Sequence, residues 1–411
     1  MANNITNIKD VGSVISKMAA GMLEDNVQFL KNVDKEPESV WQGTNGYNAG
    51  DTININKPFR PRTGKGADIT GDIQDVVEER VPLALSNQSR QAISLTTAEI
   101  ATDLALKSWA KRILEPMMSA IAQDIESECL QIAQDSVYNS VGVPGSNSFD
   151  VDTMGQARAV LMENLCPTGM GKYALLNSRA MNSATTARSG LFQSSEEISK
   201  QYKMGYIGTA DGFTYLENNL LPQHTNGNDV SGVAVNGTTL EGATTLNVNG
   251  LDATTGTVTK GTTFTIDGVF QVHPITKAVY GNLQKFVVLA DATANGAGEA
   301  TLSISPAIYA GTEGLQNVSA LPADTAALTF TGTGNGNYFS NMAYCGSAFR
   351  FASVPLLQPG GTDMTSISTY KGFTVRTVRQ YDINTDLLIM RIDVLWGFTA
   401  VRPEWAVRIV D

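Results

Sequence analysis

The stretch Leu387-Leu-Ile-Met-Arg-Ile-Asp-Val-Leu-Trp396 predicts a strongly buried strand near the C-terminus. Sequence of mixed helical and extended character leads into it from Tyr338. Residues 221–335 differ, because Thr, Gly, Val and Asn dominate there, whereas the sequence before them is rich in helix patterns. A β-rich block with such flanks is inserted into another domain rather than appended to it. We therefore expect an α+β chain with an inserted all-β domain.

The β-rich block is expected to be a small barrel or sandwich. Its short apolar runs are separated by turn residues at intervals of about 8 to 15 residues, which is typical of all-β domains. The clearest runs are Thr245-Leu-Asn-Val, Thr263-Phe-Thr-Ile, Phe286-Val-Val-Leu and Thr301-Leu-Ser-Ile.

Helical patterns precede this block. Apolar residues recur at every third or fourth position in residues 13–33, which favours an amphipathic helix. The longest predicted helix runs from the capping-box pattern Thr96-Thr-Ala-Glu99 to about Ser136. Pro116 would remove a hydrogen bond from its interior, so we expect a kink or a new helix start there. Shorter elements are predicted as helices at 153–165 and 195–203 and a buried strand at 172–176.

A long extended loop lies between Trp41 and Leu95. Asp51-Thr-Ile-Asn-Ile-Asn56 alternates polar and apolar residues, the Gly- and Pro-rich stretch 58–66 interrupts it, and the alternation resumes near Val81. The tip and the return strand carry opposite charges: Lys57, Arg60, Arg62 and Lys65 against Asp72, Asp75, Glu78 and Glu79. Loops of this length are uncommon unless they are functional.

The basic tip has two interpretations. Phe59 among the basic side chains would allow a weak, salt-sensitive contact with nucleic acid. A salt-bridged or simply solvated loop explains the same residues and is the simpler hypothesis.

Composition excludes several classes of protein. The 411 residues carry 29 Lys and Arg against 40 Asp and Glu, a formal charge of -11, which argues against a protein that wraps nucleic acid. No run of about 18 apolar residues is present, so we expect no membrane span, and no secretory signal is visible. The three widely spaced cysteines predict free buried thiols, with neither a disulfide framework nor a thiolate metal site.

The sequence does not assemble an enzyme site. The two histidines, His224 and His273, each lie beside or near a proline and are expected in turns or loops. Thr168-Gly-Met-Gly-Lys172 resembles half of a phosphate loop, but Tyr173 replaces the Mg²⁺-binding hydroxyl residue. Asp124 and Glu128 lack a histidine that would complete a metal set. We therefore expect no enzymatic activity, no metal and no cofactor.

The order of these parts resembles the major capsid proteins of tailed bacteriophages, in the subgroup with an inserted β-barrel domain. The resemblance rests on several stretches of sequence. Their order along the chain identifies the family more specifically than any single stretch does. They are Gly50-Asp-Thr-Ile-Asn-Ile-Asn-Lys-Pro58, Gly205-Tyr-Ile-Gly208 with Gly212-Phe213 and Leu221-Pro222, Lys260-Gly-Thr-Thr-Phe-Thr-Ile-Asp-Gly268 with Val272-His-Pro-Ile-Thr-Lys277, and Trp396-Gly-Phe-Thr-Ala-Val-Arg402-Pro-Glu404.

The resemblance implies the tailed-phage major capsid fold, with an N-terminal arm, an extended loop, a spine helix, and peripheral and axial domains. The expected segments are the helical arm at 1–40, the extended β-hairpin loop at 41–95, the spine helix of the peripheral domain at 96–145, the axial domain at 146–220 and 336–385, the inserted β-barrel domain at 221–335, and the closing strand of the peripheral domain at 386–411.

The implied function is self-assembly into the icosahedral shell of a virion that encloses double-stranded DNA. The implied partners are other copies of the chain in pentamers and hexamers, a scaffolding protein, a portal protein, a decoration protein, and packaged DNA through weak non-specific contacts, with no membrane. The shell would assemble in the bacterial host cytoplasm. Related shells sometimes form Lys-Asn isopeptide cross-links, for which Lys57 and Lys65 are the loop lysines here.

The charged loop residues are the candidate inter-subunit contact. A loop of about 50 residues that does not bury its own backbone suits a neighbouring subunit, and opposite charges on its limbs favour one docking pose. Two other hypotheses remain open. The chain could be a β-rich decoration or tail module whose 221–320 region binds a surface ligand, or an enzyme with an unrecognised site.

Overall fold

The computed structural model describes residues 8–36, 52–58, 73, 78–96, 110–146, 149–188, 207–311 and 315–411. These residues fall into two compact units. The first comprises the described residues of 1–55, 81–129 and 349–399, and the second those of 56–80, 130–348 and 400–411. The helix expected at 195–203, most of the capping box at 96–99, and the loop residues Arg60, Arg62, Lys65, Asp72 and Asp75 lie outside the described residues.

The described helices are α1 (Ile8–Asn26), α2 (Glu115–Ser136), α3 (Val151–Glu163) and α4 (Ser178–Arg188). A new helix start near Pro116 is confirmed, since α2 begins at Glu115 after a π-helical turn at Ala110–Leu114. The helix expected at 153–165 is also confirmed. It starts where the Asp150 carboxylate accepts a hydrogen bond from the Thr153 backbone N–H at 2.8 Å.

Two helical predictions differ from the structure. The arm helix ends at Asn26, and only a short 3₁₀ turn at Leu30–Asn32 continues toward residue 33. The buried Glu126 carboxylate of α2 accepts the backbone N–H of Phe29 at 2.6 Å, which satisfies a donor at the start of that turn. Helix α4 was not predicted, because its sequence Ser-Arg-Ala-Met-Asn-Ser-Ala-Thr-Thr-Ala-Arg contains few large apolar residues.

The described strands lie between these helices and, for the greater part, after α4. They are β1 (Asp34–Lys35), β2 (Thr52–Asn56), β3 (Arg80–Ala84), β4 (Asn87–Thr96), β5 (Ser140–Val141), β6 (Lys172–Leu176), β7 (Thr209–Ala210), β8 (Phe213–Glu217), β9 (Gln223–Thr225), β10 (Ala234–Val235), β11 (Ala243–Asn249), β12 (Thr257–Val258), β13 (Thr263–Val272), β14 (Val279–Val288), β15 (Ala292–Thr293), β16 (Ala300–Ile308), β17 (Leu328–Phe330), β18 (Asn337–Cys345), β19 (Phe349–Val354), β20 (Met364–Tyr370), β21 (Phe373–Asp382), β22 (Leu387–Ala400) and β23 (Ala406–Val410).

The first unit is built around β22, the strand that the run at 387–396 predicts. It pairs antiparallel with β4 and with β21 in a six-stranded sheet ordered β1-β19-β22-β21-β20, with β4 beside β22. The middle of β22 is buried without alternation, as in strands covered on both faces. Phe29, Phe349 and Phe398 form an aromatic cluster with ring centroids 5.5 to 5.9 Å apart.

The sequence assigned residues 336–385 to a second part of an axial domain, and the structure divides this range. Strands β19, β20 and β21 belong to the sheet of β22, whereas β18 belongs to a different sheet in the second unit. Apolar alternation shows that a strand has a buried face, but it does not show which sheet the strand joins.

The second unit contains a seven-stranded sheet ordered β5-β23-β18-β6-β8-β7, with β9 beside β18. The buried strand expected at 172–176 is confirmed as β6, which pairs with β18 and β8. The last strand of the chain, β23, pairs antiparallel with β18, and Trp405 just before it donates to the Asn164 carbonyl at 2.9 Å.

A separate six-stranded sheet, ordered β10-β11-β16-β14-β13-β17, lies within residues 234–330. Its core includes Phe264, Phe286 and Phe330, whose rings pack at 5.5 to 5.7 Å. The chain enters and leaves this region at neighbouring points, because Thr225 of β9 pairs with Asn337 of β18. Lys260 forms a 2.9 Å salt bridge with Asp135 at the end of α2, which ties the region to the rest of the second unit.

Candidate inter-subunit contact site

Within the segment 41–95, β2 and β3 form a two-stranded ribbon, whereas β4 joins the six-stranded sheet beside β22. The alternation in Thr-Ile-Asn-Ile-Asn puts Ile53 and Ile55 on one face, where they pack against a cluster containing Leu83 and Leu85. Val354 and Leu395, from the six-stranded sheet, belong to the same cluster. The ribbon therefore has a fixed apolar base in the first unit.

Backbone contact at this base is very close. A Cβ atom added to Gly397 of β22 would lie 2.3 Å from the Ala84 carbonyl oxygen, so only glycine fits at this position. Gly397 follows Trp396 within the C-terminal stretch that carries the family resemblance. The close approach of the two backbones explains why glycine follows Trp396.

Charged side chains meet across the ribbon just beyond β2. The Lys57 ammonium lies 3.3 Å from the Glu79 carboxylate, and the Lys57 backbone N–H donates to the Glu79 carbonyl at 2.8 Å. The Asn56 amide donates to the Glu78 carboxylate at 3.2 Å. The opposite charges of the two limbs thus pair within one chain at these positions, where they fix the register of the ribbon itself.

Of the eight charged loop residues, the structure describes Lys57, Glu78 and Glu79 and brings Lys57 and Glu79 together. The remaining residues, Arg60, Arg62, Lys65, Asp72 and Asp75, lie beyond the described range, so their role in an inter-subunit contact stays a prediction. The apolar anchors Ile53 and Ile55 were not among the candidates, although the alternating pattern at 51–56 marks them.

The two histidines have structural roles. The prediction of a loop position was wrong for His224, which is buried in β9 with its Nε2 3.1 Å from the Thr262 hydroxyl. Burial lowers the pKa of His224 to about 4, and the positive charge of Arg408 acts in the same direction. The prediction was right for His273, whose Nδ1 accepts the backbone N–H groups of Ile275 and Thr276 in a turn.

The described ranges contain neither a metal-ion cluster nor a membrane-spanning helix. Within them, no three His, Cys, Asp or Glu side chains converge as a metal-ion site. None of the helices in this part of the chain has the length and apolar character needed to cross a bilayer.

The structure does bring together two cysteines that are distant in sequence. Cys166, just after α3, interacts electrostatically with Cys345 at the end of β18, and both are buried. This interaction lowers the pKa of Cys345 and, together with burial, raises the pKa of Cys166. Because the two cysteines are far apart in the sequence, no local pattern predicts their proximity.

Comparison with known proteins covers almost the full length of the chain. The model of the family described as "P22 coat protein - gene protein 5" matches residues 1–409. A curated major capsid protein of Acyrthosiphon pisum secondary endosymbiont phage 1 is 23% identical over 431 residues, covering 98% of each chain.

Solved structures show weaker similarity. A structure from Mycobacterium phage Che8 covers 93% of this chain and 90% of its own, with 11% identity and a TM-score of 0.46. The coat protein I-domain of CUS-3 covers 24% of this chain and 93% of its own, with 28% identity and a TM-score of 0.19. The assignment therefore rests on the family model. The chain belongs to the P22 coat protein family and is a major capsid protein, the subunit from which a tailed phage builds its icosahedral shell.

Proposed function

We propose that copies of this chain form rings of five and six, and that the β2–β3 ribbon carries the loop tip onto a neighbouring subunit. The observation that carries the proposal is the ribbon itself. Its base is fixed by the apolar cluster around Ile53 and Leu83, and its limbs are held in register by the Lys57–Glu79 pair. A ring requires contacts between two different surfaces, and in this proposal the loop beyond the ribbon supplies one of them.

In this proposal, the charges beyond the described ribbon select the docking pose. Arg60, Arg62 and Lys65 would meet acidic groups of the neighbour, while Asp72 and Asp75 would meet basic ones. Lys57 and Glu79 contribute indirectly, since their contact stabilises the ribbon within its own subunit.

We assign the chain to the three kinds of domain that the family resemblance implies, with boundaries that follow the sheets. The sheet within 234–330 is proposed as the inserted domain, because the chain enters and leaves it through the paired strands β9 and β18. The seven-stranded sheet is proposed as the axial domain and the sheet of β22, with α2, as the peripheral domain.

The proposed contents and partners follow from the shell. A net charge of -11 suits a container that holds double-stranded DNA through weak contacts and later releases it. A scaffolding protein, a portal protein and a decoration protein are the partners that such a shell would use, and assembly would take place in the host cytoplasm.

Membership in a coat protein family favours a structural role over an enzymatic one. It also disfavours the decoration-module hypothesis, which explains only the β-rich region.

Deletion of residues 59–68 tests the role of the loop. We expect the variant to fold as a monomer, because the apolar base of the ribbon lies outside the deletion, but to assemble poorly. A matched variant that replaces 59–68 with Gly and Ser residues of the same length separates the side chains from the length of the loop. Sedimentation and circular dichroism measure assembly and folding, and normal shells from both variants would contradict the proposed contact.

A further inference from the structure

One face of the seven-stranded sheet in the second unit contacts the sheet within 234–330. Ser140 of β5 and Arg408 of β23 are paired neighbours in a parallel ladder, so their side chains project from the same face. The Ser140 hydroxyl lies 3.4 Å from the Thr263 hydroxyl of β13, and the Lys285 ammonium of β14 donates to the Ser140 carbonyl. Arg408 therefore projects on the side of the sheet that β13 and β14 contact.

Strands β18 and β9 contribute to the same face. Antiparallel pairing puts Met342 beside Arg408, and Ser340 is the diagonal neighbour of Arg408. Strand alternation puts Tyr338 on the same side as Ser340. His224 of β9 pairs with Tyr338, and the centroids of their rings are 5.4 Å apart. Polar side chains of three strands thus lie around Arg408.

The guanidinium group of Arg408 is fully enclosed. The residue is 0% exposed, and within the described part of the chain none of its three guanidinium nitrogens has a hydrogen-bond partner. The hydroxyl of Ser340, which is also 0% exposed, has no partner among the described residues either. Buried donors without partners are rare and costly, above all when they carry a charge. Arg408 and Ser340 therefore present buried donors that a further acceptor can satisfy.

The charges around Arg408 leave an excess of one positive charge. Lys285 is a second cation, and its hydrogen-bond acceptor is an uncharged backbone carbonyl. Burial lowers the pKa of Lys285 to about 8, and the positive charge of Arg408 acts in the same direction. Asp135 and Glu163 are the carboxylates that act on these two cations, but Asp135 forms a 2.9 Å salt bridge with Lys260. Glu163 alone then balances one of the two cations.

We propose that the Arg408 guanidinium and the Ser340 hydroxyl bind one small monovalent anion of the halide class. Such an anion accepts hydrogen bonds from both groups and also neutralises the excess positive charge, whereas a water molecule only accepts hydrogen bonds. The enclosure of both donors favours a single small ion over phosphate or an organic acid. The bound anion joins β23 to β18 on the face that contacts β13 and β14.

Chloride is the probe that tests the site. The thermal midpoint of the purified full-length chain is measured while sodium chloride replaces sodium gluconate at constant ionic strength, so that screening stays constant. Gluconate is too large for an enclosed site. We expect the midpoint to rise by about 2–4 °C for each tenfold increase in chloride above the dissociation constant. Chlorine-35 NMR reports binding directly, because bound chloride broadens the signal.

Three variants separate the proposed site from a general effect of salt. Arg408→Met keeps an unbranched side chain without the charge, and its midpoint should no longer respond to chloride. Ser340→Ala removes one small donor, so it tests the site even if Arg408→Met does not fold, and chloride should bind about 10-fold more weakly. Arg158→Met removes an exposed cation of α3 in the same unit and should respond as the parent does.

Two results would overturn the proposal. One is a parent midpoint and a chlorine-35 line width that do not depend on chloride, which would leave water as the partner of Arg408. The other is a chloride response in Ser340→Ala that equals the response of the parent and of Arg158→Met.

Discussion

Asp393 is fully buried in β22 and holds two arginines. Its carboxylate lies 2.6 Å from Arg376 and 2.6 Å from Arg391, and Gln88 of β4 donates to it at 3.3 Å. Removal of one member of a buried ion pair leaves the remaining charges without compensation. The cluster therefore links three neighbouring strands of the first unit through one side chain.

Asp393→Ala should lower the free energy of unfolding by about 3 kcal/mol, the lower end of the range for breaking a buried pair. Asp25→Ala is the matched control, because its side chain is 81% exposed and its contact with Lys31 is 4.0 Å long. That variant should stay within about 0.5 kcal/mol of the parent. Urea unfolding of the monomer checks both, and equal midpoints for the two variants would contradict this account of β22.

His224 makes the stability of the second unit depend on pH. Its pKa is lowered from 6.5 to about 4, so the unfolded chain binds a proton between these values that the folded chain does not. The stability contributed by neutral His224 is complete above pH 6.5 and is lost as the pH falls toward 4. His224→Gln should therefore flatten the fall in thermal midpoint across this interval, whereas His273→Gln should not. Parallel curves for His224→Gln and the parent would argue against the burial of an uncharged imidazole.

At the scale of the element, one substitution should have opposite effects in a strand and in a helix. Gly397→Ala forces a Cβ atom against the Ala84 carbonyl, whereas Gly155 of α3 has no atom within 4 Å of an added Cβ. We expect Gly397→Ala to destabilise the sheet by about 1–3 kcal/mol, as overpacking does. Gly155→Ala should stabilise α3 by up to about 1 kcal/mol. Thermal unfolding checks the signs, and a neutral Gly397→Ala would contradict the close approach at the ribbon base.

Local sequence patterns predicted the helices and strands whose formation depends on neighbouring residues in the sequence. The apolar run at 387–396 predicted β22, Pro116 predicted the start of α2, and the alternation at 51–56 predicted β2. Helix α4 escaped detection because its stability depends on packing by small buried residues such as Ala180 and Ala184 rather than on a strong apolar stripe. Contacts between residues that are distant in sequence could not be predicted from local patterns. Neither the proximity of Cys166 to Cys345 nor the sheet that β19 joins has a local signal.

At the scale of the whole molecule, the family match and the structure support each other. The match spans residues 1–409, and the described residues contain mixed helices and sheets with a ribbon fixed at its base. The low charge density suits subunits that bury much of their surface against one another.

The most direct test of the shell assignment is electron microscopy with sedimentation of the purified full-length chain, alone and co-expressed with its genomic neighbours. The account predicts closed shells of uniform size, or rings of five or six subunits, in at least one preparation. The 59–68 deletion, prepared in parallel, should give folded monomers. A monodisperse monomer of the parent chain in both preparations would contradict the central claim that this protein is the subunit of a shell.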